Sequence, residues 1–235
     1  MKVKNSQFMV AMLALSLVAV SGYAETSQPS AKVTAKVGGI NVISSLTVGI
    51  NTTNTSATEW QTILENNIKT ANQKDLFINP SLEVGLLTDT LVRSKNGVPD
   101  TSLASAGVEV RVLIDNQEAL PGIVTYGRRT QTLTATFQGL IDGCLVFDPV
   151  AGSVTIDETC VLPEELQLIL ETMNANSFNF IKADVASGVH KVEVQARINL
   201  GGSAQLGSAK AEALIGKGSV TIESVRMIRG EDIEL

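Results

Sequence analysis

Apolar and polar residues alternate without a break from residue 190 to 200, and this pattern constrains the fold more than any other feature of the chain. One side carries His190, Val192, Val194, Ala196, Ile198 and Leu200, and the other carries Lys191, Glu193, Gln195, Arg197 and Asn199. A period of two matches a β-strand, whose successive side chains point to opposite faces of a sheet. The same alternation runs over residues 106 to 114. The sequence therefore predicts antiparallel strands that are buried on one face.

Shorter runs with this period predict the rest of the fold. They occupy residues 33 to 50, 82 to 92, 130 to 137 and 209 to 228, and turn-forming Gly, Ser, Asn and Pro residues separate them. We predict an all-β chain: a single antiparallel β-sandwich domain, jelly-roll-like, over residues 32 to 229, followed by a frayed tail over residues 230 to 235. Residues 60 to 71 fit both a helical face and a strand, and their strand-like neighbours favour a strand.

One segment favours a helix instead. Pro163 suits the first position of a helix, and Glu164 and Glu165 suit its positive end. The apolar stripe that follows helical spacing consists of Leu162, Leu166, Ile169, Leu170 and Met173. The sequence therefore predicts one short α-helix over residues 163 to 174, packed at one end of the sandwich.

The ten residues 187 to 196, with the sequence Ser-Gly-Val-His-Lys-Val-Glu-Val-Gln-Ala, also carry a resemblance. They resemble strands near the C-terminal end of jelly-roll domains, such as those of phage tail proteins and of the tumour-necrosis-factor group. The resemblance covers a small part of the chain. It implies a jelly-roll fold and implies nothing about a ligand.

The first 24 residues have the three parts of a signal peptide. Lys2 and Lys4 form a positive start, residues 8 to 20 form an uncharged apolar run, and Gly22 and Ala24 are the small residues that a signal peptidase reads. An uncleaved membrane anchor is the alternative, but the apolar run is shorter than the roughly 20 residues that cross a bilayer. We expect a secreted, periplasmic or cell-surface protein whose residues 25 to 31 are a flexible lead-in.

Cys144 and Cys160 are the two cysteines of the chain, and their spacing suits a disulfide that staples a hairpin. The residues between them read as a strand, a turn and a return strand, which would bring the two sulfurs together. Closing a loop of about 15 residues stabilises a fold by roughly 3 kcal/mol in the chain-entropy model. A zinc or redox site is the alternative, but a Cys-x-x-Cys motif is absent and His190 is the single histidine.

The charge of the chain argues against a nucleic-acid partner. Without Lys2 and Lys4 the chain has 16 basic and 24 acidic residues, a net charge of −8. Binding to a phosphate backbone depends on clustered Lys and Arg residues, and the largest basic cluster is the pair Arg128-Arg129. We expect a protein or glycan partner, or a second copy of the chain in a homo-oligomer.

Four acidic residues around the predicted disulfide form a weak calcium motif. These residues are Asp142, Asp148, Asp157 and Glu158. Calcium takes oxygen ligands from loops of extracellular domains, although this spacing matches no EF-hand. We predict no other cofactor.

The sequence contains no recognisable catalytic motif. A Ser-His-Asp site would have to use His190, and a Gly-x-Ser-x-Gly elbow is absent. We therefore expect an exported, non-enzymatic module that binds a ligand or has a structural role. A self-assembling surface or filament subunit is the first alternative, and a secreted hydrolase is the second.

Overall fold

The computed structural model describes residues 30–139, 141 and 144–227, and this part of the chain consists of β-strands and loops. The strands are β1 (Val33–Val48), β2 (Thr52–Ala57), β3 (Gln61–Thr70), β4 (Lys74–Ser94), β5 (Asp100–Ile114), β6 (Gln117–Glu118), β7 (Val124–Ala135), β8 (Leu145–Asp148), β9 (Ser153–Ile156), β10 (Glu164–Ser177), β11 (Phe180–Val185), β12 (Gly188–Ala204) and β13 (Ser208–Val225). The signal peptide over residues 1 to 24, most of the lead-in and the tail over residues 230 to 235 lie outside the described residues, so these predictions stay predictions.

Two antiparallel sheets form the sandwich. In sheet A the order is β1-β13-β4-β10, with β11 also on β4. In sheet B, β12 and β5 are central, β2 and β3 pair with the outer flank of β12, and β6 and β7 pair with the outer flank of β5. Eight principal strands remain if β2 and β3 count as one strand, β10 and β11 count as one strand, and the short β6, β8 and β9 are left out. Numbered afresh along the chain, these eight strands run in the order 1-8-3-6 in sheet A and 2-7-4-5 in sheet B, which is the winding of a jelly roll. The predicted antiparallel, jelly-roll-like β-sandwich is therefore confirmed.

The core lies between the sheets and follows the period-two pattern. On β12, Val192, Val194 and Ile198 are fully buried, as the alternation predicts. They join Ile78 and Leu82 of β4 in one hydrophobic cluster. The two sheets are thus held together mainly by apolar burial, which contributes about 25 cal/mol for each Å² removed from water.

Tyr126 adds a polar tie between the sheets. It stands on β7, and its hydroxyl donates a hydrogen bond of 2.9 Å to the carbonyl oxygen of Pro80 on β4. Burial raises the pKa of Tyr126 far above its ordinary value. The phenol is therefore a neutral donor in the folded chain, and it fixes β7 over β4.

The predicted helix over residues 163 to 174 is wrong, because these residues form most of β10. All 14 residues of β10 pair with β4, in a register that places Leu166 opposite Val92 and Leu168 opposite Thr90. The sequence fits both structures, since leucines at positions 166, 168 and 170 have the spacing of one strand face. Tertiary pairing overrides the local helix preference here. The preference for a strand over residues 60 to 71 is confirmed by β3.

Candidate interaction surface

The two long sides of the sandwich differ. On one side β1 of sheet A lies against β3 of sheet B, where the Asn66 side-chain amide donates to Thr34 Oγ1 at 2.8 Å. The backbone N–H of Ala31 donates to the Lys69 carbonyl oxygen at 3.1 Å on the same side. On the other side β10 and β7 are the outermost strands of their sheets. We call the first side the closed edge and the second the open edge.

A buried glutamine holds the open edge together. Gln131 of β7 reaches across the core, and its Oε1 accepts a hydrogen bond of 2.7 Å from the hydroxyl of Thr88. Its Nε2 donates to the hydroxyl oxygen of Thr90 and, at 2.7 Å, to the Leu168 carbonyl oxygen of β10. A second tie runs from the Asn176 amide of β10 to the Tyr126 carbonyl oxygen at 2.8 Å. Side-chain hydrogen bonds therefore join β7 and β10, which belong to different sheets and share no backbone pairing.

Three leucines of β10 face the interior without being covered. Leu166, Leu168 and Leu170 lie opposite the buried residues of β4, and directly opposed residues of an antiparallel pair share a face. They nevertheless remain 43%, 38% and 41% exposed. On the outer face of the same strand, Ile169 and Met173 are more than half exposed. Both faces of β10 thus present apolar side chains to solvent.

The backbone of β10 is also open along one flank. β10 is the terminal strand of sheet A and pairs with β4 alone among the described strands. An edge strand leaves a row of N–H and C=O groups that can pair with another chain, and long apolar edges are those that do so most readily. A strand of 14 residues whose central part is apolar therefore has the properties of a strand-accepting edge.

The disulfide hairpin lies next to β10 in the sequence. Cys144 and Cys160 form the predicted disulfide, with their Cα atoms 5.4 Å apart. Among the described strands, β8 and β9 pair only with each other. One face of this hairpin carries Leu145, Phe147, Val154 and Ile156, all at least half exposed. Its base is fixed by buried Val161, whose carbonyl oxygen accepts a hydrogen bond of 3.3 Å from Lys95 Nζ.

These features concentrate exposed apolar side chains in one part of the chain. Of 23 large hydrophobic residues that are exposed in the described structure, 14 lie between residues 141 and 178. Single exposed hydrophobic residues are ordinary, whereas a contiguous group marks an interaction site. We take the open edge, with the hairpin that precedes it in the sequence, as the candidate interaction surface. The sequence alone could not reveal it, because inward-facing leucines are exposed only where no other strand covers them, and a local pattern does not report which strands pack together.

Two of the predicted calcium ligands lie at opposite ends of the disulfide hairpin. Asp148 lies at the tip of the hairpin, where its carboxylate accepts hydrogen bonds from the N–H groups of Val150 and Ala151. Asp157 lies at the base, where hydrogen bonds from the hydroxyl and the N–H of Thr159 lower the pKa of its carboxyl. Within the described residues, no group of three or more His, Cys, Asp or Glu side chains could hold a metal ion.

The other two predicted calcium ligands are Glu158 and Asp142. Glu158 is exposed beside Asp157, and Asp142 lies outside the described residues. The calcium site stays a prediction.

His190 has both ring nitrogens engaged. Its Nδ1 lies 2.7 Å from Asp115 Oδ2, and its Nε2 lies 2.8 Å from the Ala186 carbonyl oxygen. In a Ser-His-Asp triad the second nitrogen faces the nucleophile, but in this chain it faces the backbone. The arrangement positions the histidine at the margin of the core.

A trough of about 710 Å³ lies on the outer face of sheet B. Its lining includes Gly107 and Gly201, together with serine, threonine and asparagine side chains. Trp60, the single tryptophan, lies in the loop between β2 and β3, with its ring 4.4 Å from the guanidinium of Arg111 and 4.8 Å from that of Arg197. Sequence reasoning missed this surface, because its floor combines residues from separate strands. The glycan partner stays a prediction.

The described part of the chain contains no helix with the length and apolarity needed to cross a bilayer.

Comparison with known proteins gives no family. No protein-family model and no curated protein matches the chain. Among solved structures, that of the infectious bursal disease virus Gx strain is 10% identical, with 93% of this chain and 47% of that chain covered and a TM-score of 0.15. The T=1 particles derived from the same virus are 8% identical, with 79% and 40% covered and a TM-score of 0.13. The chain spans less than half the length of these viral chains, and at such TM-scores the likeness carries no inference.

Proposed function

We propose that the chain is an exported, non-enzymatic binding or structural module that works by adding a strand of a protein partner to β10. The observation that carries the proposal is the open edge. Leu166, Leu168 and Leu170 face inward but stay exposed, and β10 pairs with no described strand besides β4. In the backbone of β10, the Leu168 carbonyl oxygen accepts a hydrogen bond from a side chain, that of Gln131. In strand addition the main chain supplies affinity, and side chains at alternate positions supply specificity.

The energetics favour covering this edge. Fully burying a leucine side chain contributes about 1.5–3 kcal/mol, so covering three leucines that are each about 40% exposed would contribute roughly 1 kcal/mol apiece. Each new backbone hydrogen bond would add about 0.5–1.5 kcal/mol. An added strand therefore gains from the inner face and from the backbone at once.

The non-enzymatic part of the proposal is supported by His190. Its Nε2 is bonded to the Ala186 carbonyl oxygen, which leaves no position for a nucleophile. Export is supported by the disulfide, because disulfides persist mainly in oxidising compartments. The self-assembling subunit is a special case of strand addition in which the partner is another copy.

The test uses a labelled peptide with the sequence of residues 164 to 177 as a strand probe, followed by fluorescence anisotropy. In the variant Leu168→Lys, the long lysine side chain can extend to solvent while the edge is free, but an added strand would bury its charge. We expect saturable binding to the wild type and at least a tenfold loss in this variant. Val37→Lys on β1 is the matched control, since Val37 is 75% exposed on the opposite edge strand, and it should bind normally. The wild type is diluted until light scattering gives the monomer mass, so that no second copy occupies the edge, and absence of saturable binding under these conditions would overturn the proposal.

A further inference from the structure

The partner strand can be identified from the sequence of β10 itself. Resting on strand addition at the open edge, we infer that β10 accepts β10 of a second copy, antiparallel, about a two-fold axis through Ile169. The result is a closed dimer in which sheet A continues from one copy into the next. A two-fold interface of this kind uses the same patch on both subunits.

The register follows from charge and apolar matching. With Ile169 opposite its own counterpart, Leu168 of each copy lies opposite Leu170 of the other, so the inner face pairs leucine with leucine twice. On the outer face Gln167 then lies opposite Glu171 of the second copy, and Glu165 lies opposite Met173. No two like charges are directly opposed, which matters because opposed like charges destabilise a strand pair.

The neighbouring two-fold registers fit less well. An axis through Leu168 places Glu165 opposite Glu171 of the other copy, and symmetry repeats that repulsion. An axis through Leu170 keeps one leucine pair and places Ile169 opposite Glu171. A one-residue slip between these arrangements is excluded because it would bring inner residues opposite outer ones.

The closed edge explains why two copies stop at a dimer. A filament would need β10 of one copy to pair with β1 of the next, since these are the two ends of sheet A. β1 has a register irregularity between Gly39 and Val42 and carries exposed Lys36, both of which hinder edge pairing. Its start is already bonded to β3 through Ala31 and Lys69. Once the two β10 strands pair, the joined sheet ends in β1 on both sides.

Cysteine cross-linking tests the axis directly. The native cysteines are bonded to each other, so Ile169→Cys introduces a lone thiol. Directly opposed residues have Cα atoms about 4.5–5.5 Å apart, which lies within the usual disulfide range. We expect rapid formation of a covalent dimer under mild oxidation at micromolar protein, seen on non-reducing gels.

The two flanking positions serve as controls. Gln167→Cys alone and Glu171→Cys alone should give no covalent dimer on the gel, because each lies four residues from its own counterpart along the paired strands, about 13 Å. An equimolar mixture of the two should cross-link, since residues 167 and 171 face each other across the axis. This pattern is specific to the register centred on Ile169.

The outcomes separate this inference from the function on which it rests. If Ile169→Cys stays monomeric while the β10 peptide still binds, strand addition stands and the second copy is overturned as the partner. If the peptide does not bind either, the proposed function fails as well. Light scattering after size-exclusion chromatography should give twice the monomer mass for the wild type and the monomer mass for Leu168→Lys, whereas a ladder of larger species would overturn the closed dimer.

Discussion

Replacing Gln131 by leucine should destabilise the fold, because buried hydroxyl groups lose their hydrogen-bond partner. The side-chain amide accepts from Thr88 and donates to Thr90 and to the Leu168 carbonyl oxygen. Thr88 and Thr90 are fully buried, so their hydroxyls cannot turn to water. The Leu168 carbonyl lies at the open edge, where water can replace the amide.

The expected cost can be estimated from these contacts. Leaving a buried polar group without its partner costs about 1–3 kcal/mol, and two hydroxyls are stranded. Because leucine has nearly the volume of glutamine, little cavity energy is added. We expect a loss of about 2–4 kcal/mol in the free energy of unfolding, which corresponds to a decrease in Tm of roughly 5–15 °C for a chain of this size.

Urea unfolding followed by the fluorescence of Trp60 measures the loss. The triple variant Thr88→Val, Thr90→Val, Gln131→Leu removes both sides of the network, and replacing both partners by apolar groups of the same shape is close to neutral. The triple variant should therefore recover most of the stability that the single variant loses. A single variant within 0.5 kcal/mol of wild type, or a triple variant less stable than the single one, would refute the reasoning.

Two further predictions concern the hairpin. Replacing Cys144 and Cys160 by alanine should speed amide exchange in β8 and β9, because among the described strands these two pair only with each other. The Tm of the sandwich should fall by less than the roughly 3 kcal/mol of the chain-entropy model implies, since the hairpin can open while the two large sheets stay paired. Hydrogen-exchange mass spectrometry and thermal unfolding would show this, and a drop in Tm of the full size that the model implies would contradict it. Thr159→Ala should raise the pKa of Asp157 towards its ordinary value, since the Thr159 hydroxyl is the largest cause of its lowering. Because the pKa of Asp157 is lowered in the folded chain, its carboxylate stabilises the hairpin at pH values above the ordinary Asp pKa, and this stabilisation is lost as the pH falls through the lowered pKa. A carboxyl NMR titration should place the transition of Asp157 at higher pH in the variant than in the wild type.

The sandwich was predictable because most of its strands bury one face. On β12 each even-numbered residue from 190 to 200 is buried, and the alternation of apolar and polar residues in the sequence predicts this difference between the two faces. The disulfide was predictable for a similar local reason, since a strand, a turn and a strand lie between Cys144 and Cys160. Short-range patterns thus identify the elements whose environment is set by the chain nearby.

β10 was not predictable in the same way. Leu166, Leu168 and Leu170 match one strand face, while Leu166, Ile169, Leu170 and Met173 match one helix face. Except for Thr172, the residues between them are good helix formers. Pairing with β4 selects the strand, since residues 81 to 94 of β4 pair with all of β10. Exposure of the three leucines depends in turn on the position of β7, and no local pattern reports it.

The strand order also sets when the fold can form. β12 and β13, the last two strands of the described chain, are the central strands that join the earlier ones: β13 separates β1 from β4, and β12 separates β3 from β5. A ribosome releases the chain from its N-terminus, so neither sheet can be assembled until nearly all of it has been synthesised. Before β12 and β13 are synthesised, β10 can pair with β4 and β7 can pair with β5. Among the described strands, however, β1 has no partner in its sheet without β13, and β2 and β3 have none without β12. A premature stop before β12 would therefore leave both sheets incomplete.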